Sequence, residues 1–184
     1  LQQISSAIEY AKTKGVSHGD IKPGNIFIDS ESGIVKLSDF GLTQASQGVP
    51  ESMRTATKIP LPTYTAPERG YGNSDPSFLS DIYSLGVLAY DMLTGSVPFN
   101  AIDRSTVLAR QMTSVPVTPS IINPNIPPQI DRIILKALSP HPEIRFQTAS
   151  EFLDALVLAN PNHDDQISTS TATAIPSIEE SLVS

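Results

Sequence analysis

His18-Gly19-Asp20-Ile21-Lys22-Pro23-Gly24-Asn25, followed after a short intervening stretch by Asp39-Phe40-Gly41, puts carboxylates, a lysine and an amide within a small part of the chain. Between the two runs, Ile26, Phe27 and Ile28 read as a strand, residues 29–33 supply turn residues, and Ile34, Val35 and Leu37 read as the return strand. A hairpin of that kind brings Asn25 and Asp39 back to back. Both offer oxygens, and Mg2+ takes few protein oxygens when it shares its remaining ligands with substrate phosphates. Asp20 is placed to accept a hydroxyl proton. Lys22, two residues on, points to the same side of an extended loop, where it neutralises charge on a phosphoryl group in transfer. Singly these are ordinary turn residues; together they are the parts that phosphoryl transfer from Mg-ATP requires.

The rest of the composition agrees with a single domain. A chain of 184 residues is long enough to bury a core. It has no cysteine, which excludes a disulfide scaffold, a Cys-based zinc site and a thiol nucleophile. No apolar run approaches the length of a membrane span, and no basic region leads into an apolar one at the start, so the expected location is the cytoplasm. The formal net charge is −7, with no Lys or Arg after Arg145, which argues against a nucleic-acid partner.

Periodicity along the chain predicts mostly helices and one small β-hairpin. Leu1, Ile4, Ile8 and Ala11 recur at helical spacing, with Gly15 where the helix would stop. Residues 79–93 are apolar on nearly every face, as suits a helix buried on all sides and ended by Gly95. Shorter helices are expected over 105–112 and over 128–138, the latter starting at Pro128 and turning Ile130, Ile133, Ile134 and Leu138 inward. Thr148-Ala149-Ser150-Glu151 has the form of a capping box ahead of Phe152, Leu153, Leu156 and Val157. The segments between read as Pro-rich connectors. The domain is expected to span 1–159, with 160–184 a disordered Ser/Thr-rich acidic tail or linker.

The two opening runs, in their order and spacing, resemble the catalytic loop and metal-binding triplet of the protein kinase superfamily. Ala66-Pro67-Glu68 resembles the end of the family's activation segment. Asp81, in Asp81-Ile82-Tyr83-Ser84-Leu85-Gly86, resembles the start of the central buried helix, and Arg145 resembles the late arginine that pairs with the glutamate at Glu68. Residues 81–99 are similar to bacterial kinases of the eukaryotic serine/threonine type. The resemblance runs over 1–159 and implies a protein-kinase-like C-lobe, α+β as part of the whole kinase fold. By the same resemblance Asp20 and Lys22 are catalytic, and Asn25, Phe27, Ser38 and Asp39 contact the nucleotide. Asn25 and Asp39 hold the metal, ATP and Mg2+ are the cofactors, and a protein is the substrate. Phe27 also suits an ordinary strand core position. His18 is expected to scaffold the catalytic loop and the triplet's phenylalanine, and Asp81 to bond loop amides.

The family's glycine-rich loop, strand lysine and helix glutamate belong to an N-terminal lobe, and none is found in residues 1–184. The chain is therefore expected to be the C-terminal lobe without that partner lobe and to have negligible activity alone. Two alternatives stay open: a pseudokinase or truncated protein-binding module, and a small-molecule phosphotransferase of the aminoglycoside or choline kinase type, whose catalytic loop is similar. Two positions depart from the pattern. Leu61 stands where serine/threonine kinases commonly carry a threonine, and Gly19 stands where they commonly carry an arginine. Residues 39–68 carry hydroxyls at Ser46, Ser52, Thr55, Thr57 and Thr63 and read as a substrate-docking loop. With no arginine at position 19 to receive a phosphate, activity should not depend strictly on phosphorylation of that loop. The Thr55→Ala/Thr57→Ala double variant of the protein expressed from its complete reading frame should keep its phosphotransfer rate, and abolished transfer would refute this.

Overall fold

The computed structural model describes residues 1–40, 62–70 and 75–159. Helix α1 spans Gln2–Thr13 and is followed by a hairpin of strands β1 (Ile26–Ile28) and β2 (Val35–Leu37). Five further helices complete the order: α2 (Phe78–Thr94), α3 (Arg104–Thr113), α4 (Pro119–Ile122), α5 (Pro128–Ala137) and α6 (Ala149–Leu158). The described residues are thus mostly helical with one two-stranded sheet, as the periodicity predicts.

Helix α2 forms where the apolar run stands, and its ends are set by local chemistry. Ser77 caps the start reciprocally: its hydroxyl accepts from the Ser80 amide at 3.1 Å, and the Ser80 hydroxyl accepts from the Ser77 amide at 3.0 Å. Gly95 ends the helix at φ 71°, a left-handed conformation that glycine adopts without steric cost. Every residue from Ser80 to Tyr90 is buried. Helices α4, α5 and α6 all pack against this rod, so it serves as the core to which the other elements dock. At Gly86 the approach of α5 is close enough that a Cβ would lie 2.8 Å from the Ala137 Cβ.

Long-range hydrogen bonds join the surrounding helices. The Glu9 carboxylate on α1 accepts from the Ala149 amide at 2.6 Å, so one helix caps the start of another. The capping box expected at Thr148 is only half made. Thr148 accepts from the Glu151 amide at 3.0 Å, but the Glu151 carboxylate turns to the Gln147 amide instead of the amide of Thr148. Asp131 accepts from both the amide and the hydroxyl of Ser120, which holds α4 to α5. The Pro-rich connectors contain structure that periodicity did not indicate. Helix α4 and the 3-10 turns Pro23–Asn25, Pro67–Arg69 and Pro142–Ile144 each begin with proline, whose fixed φ suits a first turn.

The hairpin is antiparallel, with Ile26 opposite Leu37, Phe27 opposite Lys36 and Ile28 opposite Val35. Ile34, expected in the return strand, lies just before it, in a turn closed by Gly33 at φ 67°. Gln3 on α1 supports this turn: its amide donates to the Gly33 carbonyl at 3.1 Å and its carbonyl accepts from the Val35 amide at 2.8 Å. Phe27 is 59% exposed, which removes the ordinary core reading for it. The expected tail, 160–184, lies outside the described residues, as do Gly41, Leu61, Ser46, Ser52, Thr55 and Thr57. Among the described residues no helix is long and apolar enough to cross a membrane.

Gly86→Ala should lower stability by about 1–3 kcal/mol by overpacking α2 against α5. Adding Ala137→Gly should return part of that loss. Urea unfolding of both variants checks this, and a neutral Gly86→Ala would show that the two helices separate freely.

Candidate functional site

The loop 18–25 connects the end of α1 to the hairpin, and buried side chains fix its path. Asp81, in the first turn of α2 and almost wholly buried, accepts from the His18 amide at 2.7 Å and the Gly19 amide at 2.8 Å, one oxygen for each. Two amides favour the carboxylate, whereas burial favours the neutral acid. Burial prevails and pushes the group up to about 6, against the pull of both amides and of the Arg69 charge.

His18 is fully buried, and its tautomer follows from its partners. The Ser38 carbonyl, 2.8 Å from Nε2, can only accept, so Nε2 carries the proton. Nδ1 then accepts from the Asp20 amide at 3.1 Å. That arrangement needs a neutral ring, and burial lowers the imidazole below its ordinary value in agreement. The ring also meets Phe40, with centroids 4.5 Å apart. His18 therefore joins the loop, the end of β2 and Phe40.

Around Asp20 two of the residues singled out by the sequence converge. Lys22 donates from Nζ to Asp20 Oδ2 at 2.5 Å. Asn25, 7% exposed, donates from its amide nitrogen to the Asp20 backbone carbonyl at 2.8 Å and to Oδ2 at 3.0 Å. Both partners accept, so the NH2 side of Asn25 faces Asp20 and its carbonyl oxygen faces away. The hairpin register brings the second run alongside, because the Ser38 amide donates to the Asn25 carbonyl at 2.9 Å. The Ser38 hydroxyl lies 3.2 Å from Asp39 Oδ2. Asp39 has φ 65°, a left-handed backbone for a residue with a Cβ, which costs about 1–2 kcal/mol. Phe27 stands apart from this cluster, on the exposed side of the hairpin. Among the described residues no group of three or more His, Asp or Glu side chains could hold a metal by itself. A cation here would complete its shell with ligands from outside the protein.

The segment 62–70, at the far end of the expected docking loop, is tied down at several points. Glu68 and Arg145 form a two-point pair at 2.7 and 2.8 Å. The Tyr64 hydroxyl donates to Asp91 at 2.6 Å, and burial together with that carboxylate raises the phenol above its ordinary value. Gln111 on α3 donates to the carbonyls of Pro62 and Thr65. Arg69, which the sequence reading did not single out, donates to the Gly19 carbonyl at 2.5 Å. Its position directly after Glu68 was the only sequence signal available for it.

The Asp81 balance has a measurable consequence. Its folded value lies above the ordinary 3.8, so this group's share of stability is greatest below that value and declines as pH rises through about 6. The amide proton shifts of His18 and Gly19 should titrate together with a midpoint near pH 6, and Asp81→Asn should abolish that transition. A midpoint below 4 would show that the two amides outweigh burial, and one that survives Asp81→Asn would belong to His18.

Comparison with known proteins bears on the family. The protein kinase domain model matches residues 1–164. The chain is 34% identical over 170 residues to a probable serine/threonine-protein kinase of Clostridium perfringens, covering 92% of this chain and 24% of the relative. It is 36% identical over 152 residues to the serine/threonine-protein kinase PknB of Mycolicibacterium smegmatis, covering 82% and 24%. It is 32% identical over 166 residues to a serine/threonine-protein kinase of Myxococcus xanthus, covering 89% and 24%. The chain thus spans about a quarter of the length of these curated relatives. With a family match over most of its length and a buried frame around the loop 18–25, the chain belongs to the protein kinase family.

Proposed function

We propose that this chain is the catalytic and substrate-binding lobe of an ATP-dependent protein serine/threonine kinase, which transfers the γ-phosphate of Mg-ATP to a protein hydroxyl. The observation that carries this reading is the convergence of Lys22 and Asn25 on the Asp20 carboxylate, in a loop held by His18 and Asp81. The relatives' names as serine/threonine-protein kinases support the assignment of class. Residues 1–159 act as the C-terminal lobe, since the described residues supply the loop, the hairpin and the helical bed. A glycine-rich loop and its strand lysine would cover the nucleotide from the opposite side.

Asp20 orients the acceptor hydroxyl and takes its proton, a role worth about a hundredfold to ten-thousandfold. Lys22, already beside Asp20, neutralises charge on the phosphoryl group as it moves to that hydroxyl. The residues present fit a magnesium ion. The Asn25 carbonyl oxygen faces away from Asp20, and Asp39 is held in a strained backbone at the base of the same hairpin. These two would hold the metal, which would supply positive charge to offset that of the phosphates. Exposed Phe27 offers a ring to the adenine, and Ser38 steadies Asp39 on the phosphate side.

In the protein expressed from its complete reading frame, Asp39→Asn should reduce phosphotransfer to a protein acceptor by about a hundredfold or more. Circular dichroism should stay unchanged, because asparagine tolerates the left-handed backbone at position 39. Asp20→Asn should cost about as much by removing the base. Undiminished turnover in either variant would reject the assignment of that residue.

A further inference from the structure

We propose that Arg69 is a positioning residue for Asp20, supplying from the docking segment the guanidinium that position 19 lacks; this rests on the kinase reading above. Gly19 has φ 80°, a backbone that disfavours any side chain there. Its amide donates to Asp81 at 2.8 Å, and its carbonyl accepts from Arg69 Nη1 at 2.5 Å. The next amide, that of Asp20, donates to His18 Nδ1 at 3.1 Å.

The Gly19 carbonyl and the Asp20 amide belong to one planar peptide unit. Arg69 holds one side of that plane and His18 the other, so its orientation is set, and with it the direction in which Asp20 leaves the backbone. If the Arg69 bond is lost, the plane is held only through His18 and can rotate about that contact.

Arg69 suits the role because its own base is fixed. It closes the 3-10 turn Pro67–Arg69, its amide donating to the Ala66 carbonyl at 2.9 Å. The preceding residue is Glu68, which the fully buried Arg145 side chain grips at two points. The charge of Arg69 is also felt by Asp20 and Asp81, so it offsets two carboxylates close to the loop. The end of the docking segment is thereby joined to the base of the reaction through the Arg69 side chain and the Gly19–Asp20 peptide, with no phosphate in the connection.

The test compares Arg69→Met and Arg69→Lys in the protein expressed from its complete reading frame, with Mg-ATP and a generic protein acceptor. Arg69→Met should lower kcat by about ten- to a hundredfold, because a slightly misplaced base is costly, while both KM values stay within about twofold. Arg69→Lys keeps a charge and a donor and should fall between the methionine variant and the wild type.

A second readout does not depend on activity. Gly19-Asp20 is the only Gly-Asp pair in residues 1–184, and labelling glycine carbonyl carbon and aspartate nitrogen gives its peptide a cross-peak that is assigned by its loss in Asp20→Asn. Its cross-peak should move in Arg69→Met and lie nearer the wild-type position in Arg69→Lys. An unmoved cross-peak, or a kcat for Arg69→Met within twofold of wild type, would overturn the proposal. If the wild type transfers no phosphate, the kinase reading fails and the cross-peak alone decides whether Arg69 orients the peptide. If Arg69→Met does not fold, Arg69→Lys decides: lowered kcat at unchanged KM supports the role, and wild-type kcat refutes it.

Discussion

Arg145 engages all five of its N–H groups inside the protein. Two pairs of bonds reach Glu68 and the carbonyls of Leu79 and Pro140, and Nε donates to the Ser139 carbonyl. A guanidinium with no exposed surface is costly to bury, and only a complete set of acceptors offsets that cost. Its partners come from three places: the segment 62–70, the first turn of α2 and the chain just after α5. The Tyr83 ring, 5.0 Å from the guanidinium carbon, covers it from α2. Lysine could not replace it, because a single ammonium cannot make a planar two-point pair with Glu68 and also reach the carbonyls.

From that anchor the fold leads to the site in short steps. The first turn of α2 also carries Asp81, so the element that Arg145 fixes is the one that holds the His18 and Gly19 amides. His18 passes the constraint to Ser38 and Phe40, and the hairpin register sets Ser38 beside Asn25. Two of these groups, Asp81 and His18, are titratable and buried, and in both burial is the largest influence on the proton. Their work is architectural. The carboxylate that the kinase reading uses for chemistry, Asp20, is by contrast half-exposed and open to a substrate.

Much of this was legible in the chain itself, for identifiable reasons. The apolar run over 79–93 predicts a helix surrounded on all sides, because no amphipathic face is left for water, and α2 is buried from Ser80 to Tyr90. Strand β1 and the turn before β2 follow from alternation and turn residues, and Gly15 and Gly95 mark the ends of α1 and α2. Other features have no local signature. Ile34 falls outside β2 because the turn takes it up, Glu151 accepts from the Gln147 amide rather than from that of Thr148, and proline-led turns interrupt the connectors. Phe27 is as apolar as a core residue, yet it lies more than half exposed on the two-stranded sheet.

The sequence by itself pointed to the family, the longer helices, the hairpin and the candidate set Asp20, Lys22, Asn25 and Asp39, because those readings depend on residue type, spacing and short-range periodicity. Tertiary structure alone decided the left-handed backbone of Asp39, the neutral Nε2-protonated state of His18 and the reach of Arg69 to Gly19. Each of those depends on a partner brought close by folding, or on burial that excludes water. Neither can be read from the order of residues in the chain.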